Sequence, residues 1–353
     1  MKKTIFMLAA AAVVFAACSS DEAVKVNKGN EIAFRANMNW TRGADMTYAN
    51  LDQFNVTAIN ATSGSTYIND RTYTRDASGT YTCADKAYWP ESDALNFFAY
   101  APIASNQISK ASYKTFTVTP STDFNAQTDL IYANTNGKTQ ADSQNGVSLN
   151  FRHAESKITV KVYNGNNMVR VYATTWEIGY LSPSGTFTYQ DATTDGNNSG
   201  MLLNYADWSS WAPATAATEY FGGTTNISFE TVVPAANAQA IPGEMILVPQ
   251  QLVPATGYDS NNPNGAYIGV KLRIVNIDDN TVIYGGNEGA WAIWPVDTKW
   301  LPGKKYTYII DLGDGGYKKI VPDGPLDPVL KEVKFINVTV DDWVDEAPIY
   351  LHK

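Results

Sequence analysis

Glu31-Ile32-Ala33-Phe34-Arg35-Ala36-Asn37-Met38-Asn39-Trp40 is the stretch on which the reading of this chain turns. Its even positions Ile32, Phe34, Ala36, Met38 and Trp40 are apolar, while Glu31, Arg35, Asn37 and Asn39 are polar. Alternation with period two places one face in a core and the other in water, which is a half-buried β-strand. Outward from it, similar runs rich in Val, Ile, Thr, Tyr and Phe recur at 54–59, 66–74, 80–83, 95–100, 113–119 and 129–133. A second series follows at 147–162, 169–180, 185–189, 227–233, 245–248, 267–275, 281–284 and 306–312. Gly, Pro, Asn, Asp and Ser clusters separate them, and helix signals are nearly absent after residue 18. The spacing predicts an all-β chain built of sandwiches or barrels.

Asn134-Thr135-Asn136-Gly137 reads as a turn, and the polar stretch from there to Asn145 reads as a linker. The expected division is therefore an N-terminal sandwich over 31–146 and a C-terminal one over 147–353. Residues 190–225 lack periodicity and read as a long loop, with one short helix near Asp207. No repeat of solenoid period is present.

The N-terminus carries an export signal. Lys2 and Lys3 precede an apolar run over 5–17, too short to span a bilayer, which takes ~20 apolar residues. Phe15-Ala16-Ala17-Cys18 looks like a lipobox, so that 1–17 would be removed and Cys18 would carry the lipid; the other reading is an ordinary cleaved signal with an incidental cysteine. Several acyl chains anchor stably, at ~0.8 kcal/mol per buried methylene. Residues 18–30 then form a polar tether. If lipid occupies Cys18, Cys83 is left alone, so no internal disulfide forms and packing must hold the fold. The net charge of −9 and pI of about 4.8, with no basic cluster, exclude nucleic acid as a partner.

Catalytic chemistry finds few residues. The two histidines, His153 and His352, lack Cys or acidic partners at metal-ligand spacing. His153 suits a conformation-fixing hydrogen bond better than acid–base work. Asp278-Asp279 and Asp341-Asp342 are neighbours, and neighbours in a strand point to opposite faces. The segment from Asp311 to Gly316 lacks the alternating ligands of a calcium loop. No cofactor or metal is expected. Nine Trp and 21 Tyr suit either a sandwich core or a carbohydrate platform.

Several segments carry a family resemblance: Tyr88-Trp89-Pro90 with Leu95-Asn96-Phe97-Phe98-Ala99-Tyr100-Ala101-Pro102, then Asp129-Leu130-Ile131-Tyr132-Ala133. Further on come Leu149-Asn150-Phe151-Arg152-His153-Ala154-Glu155-Ser156-Lys157-Ile158, Leu247-Val248-Pro249-Gln250 and Trp300-Leu301-Pro302-Gly303-Lys304-Lys305-Tyr306-Thr307-Tyr308. In this order they resemble the fimbrillin family, the type V pilus subunits of Bacteroidales. The resemblance implies two transthyretin-like Greek-key β-sandwich domains in tandem, lipoprotein export to the outer membrane and cell surface, and assembly with other fimbrial subunits. It also implies a non-enzymatic structural role that supports adhesion to a host or bacterial surface ligand. In stalk subunits of the family an Arg-specific protease removes the first strand, and Arg42 resembles that cleavage position. Ile32, Phe34, Met38 and Trp40 would then leave a groove for a donor strand from the next subunit. The segment 333–344, with Ile336, Val338 and Val340 alternating, is the candidate donor. The other reading is that strand one stays in place and 333–344 folds back as the last strand of its own sandwich. The alternative function is a surface glycan-binding outer-membrane lipoprotein.

Overall fold

The computed structural model describes residues 31–37, 50–143, 146–189, 211–213, 217–330, 337–342 and 345–350. Among these the chain is all-β, with four short 3-10 turns and no α-helix.

The first sheet has eight strands in the order Arg152–His153, Ile131–Lys138, Leu95–Ala101, Gln53–Asn60, Thr66–Arg75, Tyr81–Thr82, Phe34–Asn37 and Val147–Asn150. Its two edge strands are joined by Phe151 alone. Three consecutive Cα atoms span no more than about 7 Å, so the sheet must roll until its edges meet. Alternation then fills the roll. Phe54, Val56, Ala58, Phe97, Ala99 and Ile131 point in, and Phe151 plugs the seam at 1% exposure. The hairpin between the second and third strands in sequence closes on Asn60, whose Oδ1 accepts from the backbone N–H groups of Thr62 and Ser63.

The outward residues of the same strands, Phe98, Tyr100 and Tyr132, are buried too. A four-stranded sheet covers them, in the order Trp211–Pro213, Gly185–Thr188, Thr115–Val118 and Ile108–Lys110. Two of its strands come from each half of the chain. Its Phe116 packs on Tyr100 at 4.8 Å and its Phe187 on Tyr132 at 4.7 Å. The halves are therefore sewn together by backbone pairing as well as by side-chain packing.

The rest is a sandwich and a small three-stranded sheet that orders Asn262–Pro263, Gly257–Asp259 and Gly324–Pro325. One sheet orders Gln239–Ala240, Ser156–Tyr163, Lys304–Asp311, Asn337–Asp342 and Asp345–Tyr350, with Met245–Leu247 also on Ser156–Tyr163. The facing sheet orders Thr218–Phe229, Val169–Leu181, Tyr267–Asn276, Ala290–Pro295 and Tyr317–Lys318, with Val282–Tyr284 also on Tyr267–Asn276. Trp176, Trp294 and Trp300 fill the core between them, each fully buried.

Three expectations change. The division after residue 146 cuts the first sheet, because Val147–Asn150 and Arg152–His153 pair inside it; parallel pairing to Phe34–Asn37 captures a segment that looked like the start of a new domain. The segment 134–137 is not a turn but part of Ile131–Lys138. Its turn-type residues serve a bulge opposite Leu95–Phe97, with Gly137 at φ 64° and its N–H donating to Asn96 Oδ1. Residues 218–225 are strand, not loop, because Thr218–Phe229 is zipped along Val169–Leu181. The helix expected near Asp207 lies outside the described residues.

Candidate strand-exchange site

The predicted first strand is regular over Phe34–Asn37, with an isolated bridge from Glu31 to Tyr88. Ile32, Phe34 and Ala36 are buried and Arg35 is exposed, as the alternation requires. The pairing is lopsided. On one side Phe34 opposes Tyr81 only, while on the other four residues run parallel to Val147–Asn150. The Ile32 N–H donates to Ala87 O at 2.8 Å, and Val147 N–H donates to Ala33 O at 2.8 Å. Lys86 Nζ meets Glu31 Oε2 at 2.8 Å on the surface.

Phe34 fills an aromatic slot. Its ring lies 4.7 Å from Tyr73, 5.2 Å from Phe97 and 6.2 Å from Phe54, all edge to face. Trp89 packs behind Phe97 at 5.7 Å. Two polar groups in this slot have no hydrogen-bond partner, the Tyr73 hydroxyl and the Trp89 Nε1–H. Burial first, and then the neighbouring Cys83 thiol, pushes the Tyr73 hydroxyl well above its ordinary pKa. Cys83 is a free, half-buried thiol against the same core. Met38, Trp40, Arg42 and Cys18 lie outside the described residues.

At the other end of the chain, Asn337–Asp342 pairs antiparallel with Lys304–Asp311, placing Val338 opposite Tyr308 and Val340 opposite Tyr306. It then turns back into Asp345–Tyr350. Ile336 lies outside the described residues. Tyr306 and Tyr308 are buried and anchored: Tyr308 OH accepts from Trp300 Nε1 at 2.8 Å, and Tyr306 OH accepts from Leu301 N at 2.7 Å. Ile32 and Phe34 belong to the rolled sheet and Val338 and Val340 to the sandwich, so one copy does not bring them together.

Sequence reasoning missed two buried ionic clusters. Where the halves join, His153 Nδ1 and Asp129 Oδ2 are 2.7 Å apart, and Glu155 Oε2 accepts from Leu130 N–H at 2.9 Å. Burial, and then the Asp129 charge, holds the Glu155 carboxyl well above its usual range. The second cluster joins Lys319 to Glu177 at 2.7 Å and to Glu219 at 3.0 Å. Its one sequence signal is Glu177 itself, a carboxylate between Trp176 and Ile178. Among the described residues no three His, Cys, Asp or Glu side chains converge as metal ligands.

A search of curated proteins finds no match. Among solved structures, a fimbrial protein from Bacteroides vulgatus aligns with a TM-score of 0.54 at 16% identity, covering 86% of this chain and 100% of that one. A candidate cell adhesion protein from Bacteroides uniformis aligns at 0.50 and 18% identity, covering 89% and 98%. These likenesses extend to the fold. The model of the fimbrillin-like family matches residues 41–343, which includes the rolled sheet from its second strand onward, the shared sheet and the sandwich. With that span of sequence matched, the chain belongs to the fimbrillin-like family.

Proposed function

We propose that this chain is a structural subunit of a cell-surface fimbrium, exported as a lipoprotein through Cys18 and assembled with other subunits by strand exchange, in support of adhesion. The observation that carries the reading is the seat of Phe34–Asn37. This strand lies between Tyr81–Thr82 and Val147–Asn150 in the sheet order, so its departure opens a slot one strand wide with pairing edges on both sides. Ile32 and Phe34 would uncover Tyr73, Phe97 and Phe54, at ~1.5–3 kcal/mol for each large side chain withdrawn. A strand from a neighbouring copy recovers both terms by β-augmentation. The unpartnered Tyr73 hydroxyl and Trp89 N–H make the resident strand an imperfect fit, which favours replacement. Cleavage after Arg42 is the step that would release it, and 333–344 is the donor. Mass spectrometry of protein shaved from cells tests this. A mature N-terminus at Gly43 is expected in assembled material; a start at Cys18 alone overturns the processed-stalk reading and favours an anchoring subunit.

A further inference from the structure

Within the strand Val169–Leu181, Trp176 and Ile178 face the sandwich core, so Glu177 projects from the opposite, outer side of the sheet. It is nonetheless fully buried. Lys319 covers it, with Nζ 2.7 Å from Glu177 Oε1, 3.0 Å from Glu219 Oε1, and 5.7 and 5.5 Å from the ring centroids of Tyr267 and Trp291. The Tyr267 hydroxyl donates to Glu219 Oε1 at 2.5 Å. Two glycines make the room: a Cβ on Gly269 would lie 2.8 Å from Glu177 Cγ, and one on Gly179 would lie 2.3 Å from Tyr267 Cζ. A sheet face outside the sandwich core has no structural need for a buried lysine between two glutamates. What the network does is lock Glu219 and Tyr267 in place.

Those two residues form a wall of a solvent-open cleft of about 220 Å³, whose lining also includes Tyr180, Asp259, Asn262 and Asn264. Tyr180 is 49% exposed and sits at φ 64°, a left-handed conformation unfavourable for an aromatic residue and concentrated at functional positions. Asp259 and Asn262 oppose each other across a two-residue turn, Ser260-Asn261, with φ 53° and 62°. That type I′ geometry fixes both shoulders of the hairpin. The polar groups are oriented. Asn264 Oδ1 is held by the N–H groups of Thr256 and Gly257, which leaves its NH₂ as a donor. Asn262 gives its NH₂ to Ser260 O, which leaves its Oδ1 as an acceptor. Glu219 commits Oε1 to Tyr267 and Lys319, which leaves Oε2.

We propose that this cleft binds one uncharged pyranose unit of a glycan. A half-exposed tyrosine ring offers an apolar face to a sugar ring, and fixed carboxylate and amide groups match neighbouring hydroxyls, which both donate and accept. The cleft volume suits a single ring rather than a larger ligand. No Lys or Arg lines it, so an acidic sugar would meet the Asp259 carboxylate without compensation. A cationic ligand is disfavoured because Lys319 already meets the charge of Glu219. The proposal does not depend on strand exchange, since the cleft is lined from two sheets and neither contains Phe34–Asn37.

Saturation-transfer NMR on the purified full chain tests it, with methyl glycosides of glucose, galactose, mannose and N-acetylglucosamine at millimolar concentration. Methyl glucuronoside and Nα-acetyl-lysine methylamide serve as the acidic and cationic probes. Transfer to at least one neutral glycoside is expected, and none to the glucuronoside. Tyr180→Gly should raise the thermal midpoint, because glycine relieves the left-handed backbone, while weakening glycoside binding about tenfold. Tyr88→Ala, at an exposed tyrosine on the rolled half, should leave binding unchanged. No transfer to any neutral glycoside, transfer to the lysine or glucuronoside probe alone, or binding undiminished in Tyr180→Gly overturns the proposal.

Discussion

The ring of Phe34 meets that of Tyr73 edge to face, with 4.7 Å between centroids and 89° between planes, and the Tyr73 hydroxyl beyond that contact has no hydrogen-bond partner. A buried hydroxyl left unpaired costs about 1–3 kcal/mol. Tyr73→Phe keeps the ring and removes the penalty. It should raise unfolding free energy by about 1 kcal/mol, read from urea denaturation at unchanged m-value.

Phe34→Ala removes the side chain that Tyr73, Phe97 and Phe54 surround. A loss of about 3–5 kcal/mol is expected for a fully buried phenylalanine. The two substitutions share a contact, so the double variant should depart from additivity by more than about 0.5 kcal/mol. Additive effects would show that the Tyr73 hydroxyl and the Phe34 ring are not energetically coupled.

Burial drives the Glu177 carboxyl up from 4.5 to about 7, against the opposing pull of Lys319. A carboxyl whose folded pKa exceeds its unfolded value keeps its proton in the native state while the unfolded chain gives it up. Its contribution is therefore fully present below pH 4.5 and is lost as pH rises to about 7, by on the order of 3 kcal/mol. Glu177→Gln should remove that decline. The difference between variant and parent should grow between pH 4.5 and 7 and level off above. Parallel pH curves for the two proteins would refute the assignment.

The pairing of Val338 with Tyr308 and Val340 with Tyr306 yields opposite signatures for the two fates of the C-terminal segment. If the segment serves as donor, Val338→Asp with Val340→Asp should abolish SDS-resistant ladders and leave the monomer's thermal midpoint within a few degrees of the parent. If it completes its own sandwich, the same pair should lower the midpoint steeply. Differential scanning calorimetry and gels of the same samples separate the outcomes.

Much of the architecture was legible. Alternation at Ile32, Phe34 and Ala36 marks a strand with one face in a core, and those three residues are buried with Arg35 exposed, although Ala33 on the other face is buried as well. The all-β class followed from the recurrence of such runs. His153 reads in the sequence as a residue that fixes conformation, and it lies 2.7 Å from Asp129 in a buried pair. Ala290–Pro295 passed unnoticed, because an apolar run with little alternation does not declare itself as a strand.

Local pattern by itself determined that this chain makes strands, and which side of many of them meets a core, since pleat geometry ties the face to residue parity. Tertiary structure decided everything that depends on which strand lies beside which. It returned 147–153 to the first sheet, turned the Asn-Gly-rich 134–137 into a bulge, and drew strands from both halves into one covering sheet. It alone buried Glu177 on an outer face, because the lysine that hides it lies 142 positions away in sequence, between Lys318 and Ile320. Backbone pairing and ionic contact are long-range, and a pattern read over ten residues does not contain them.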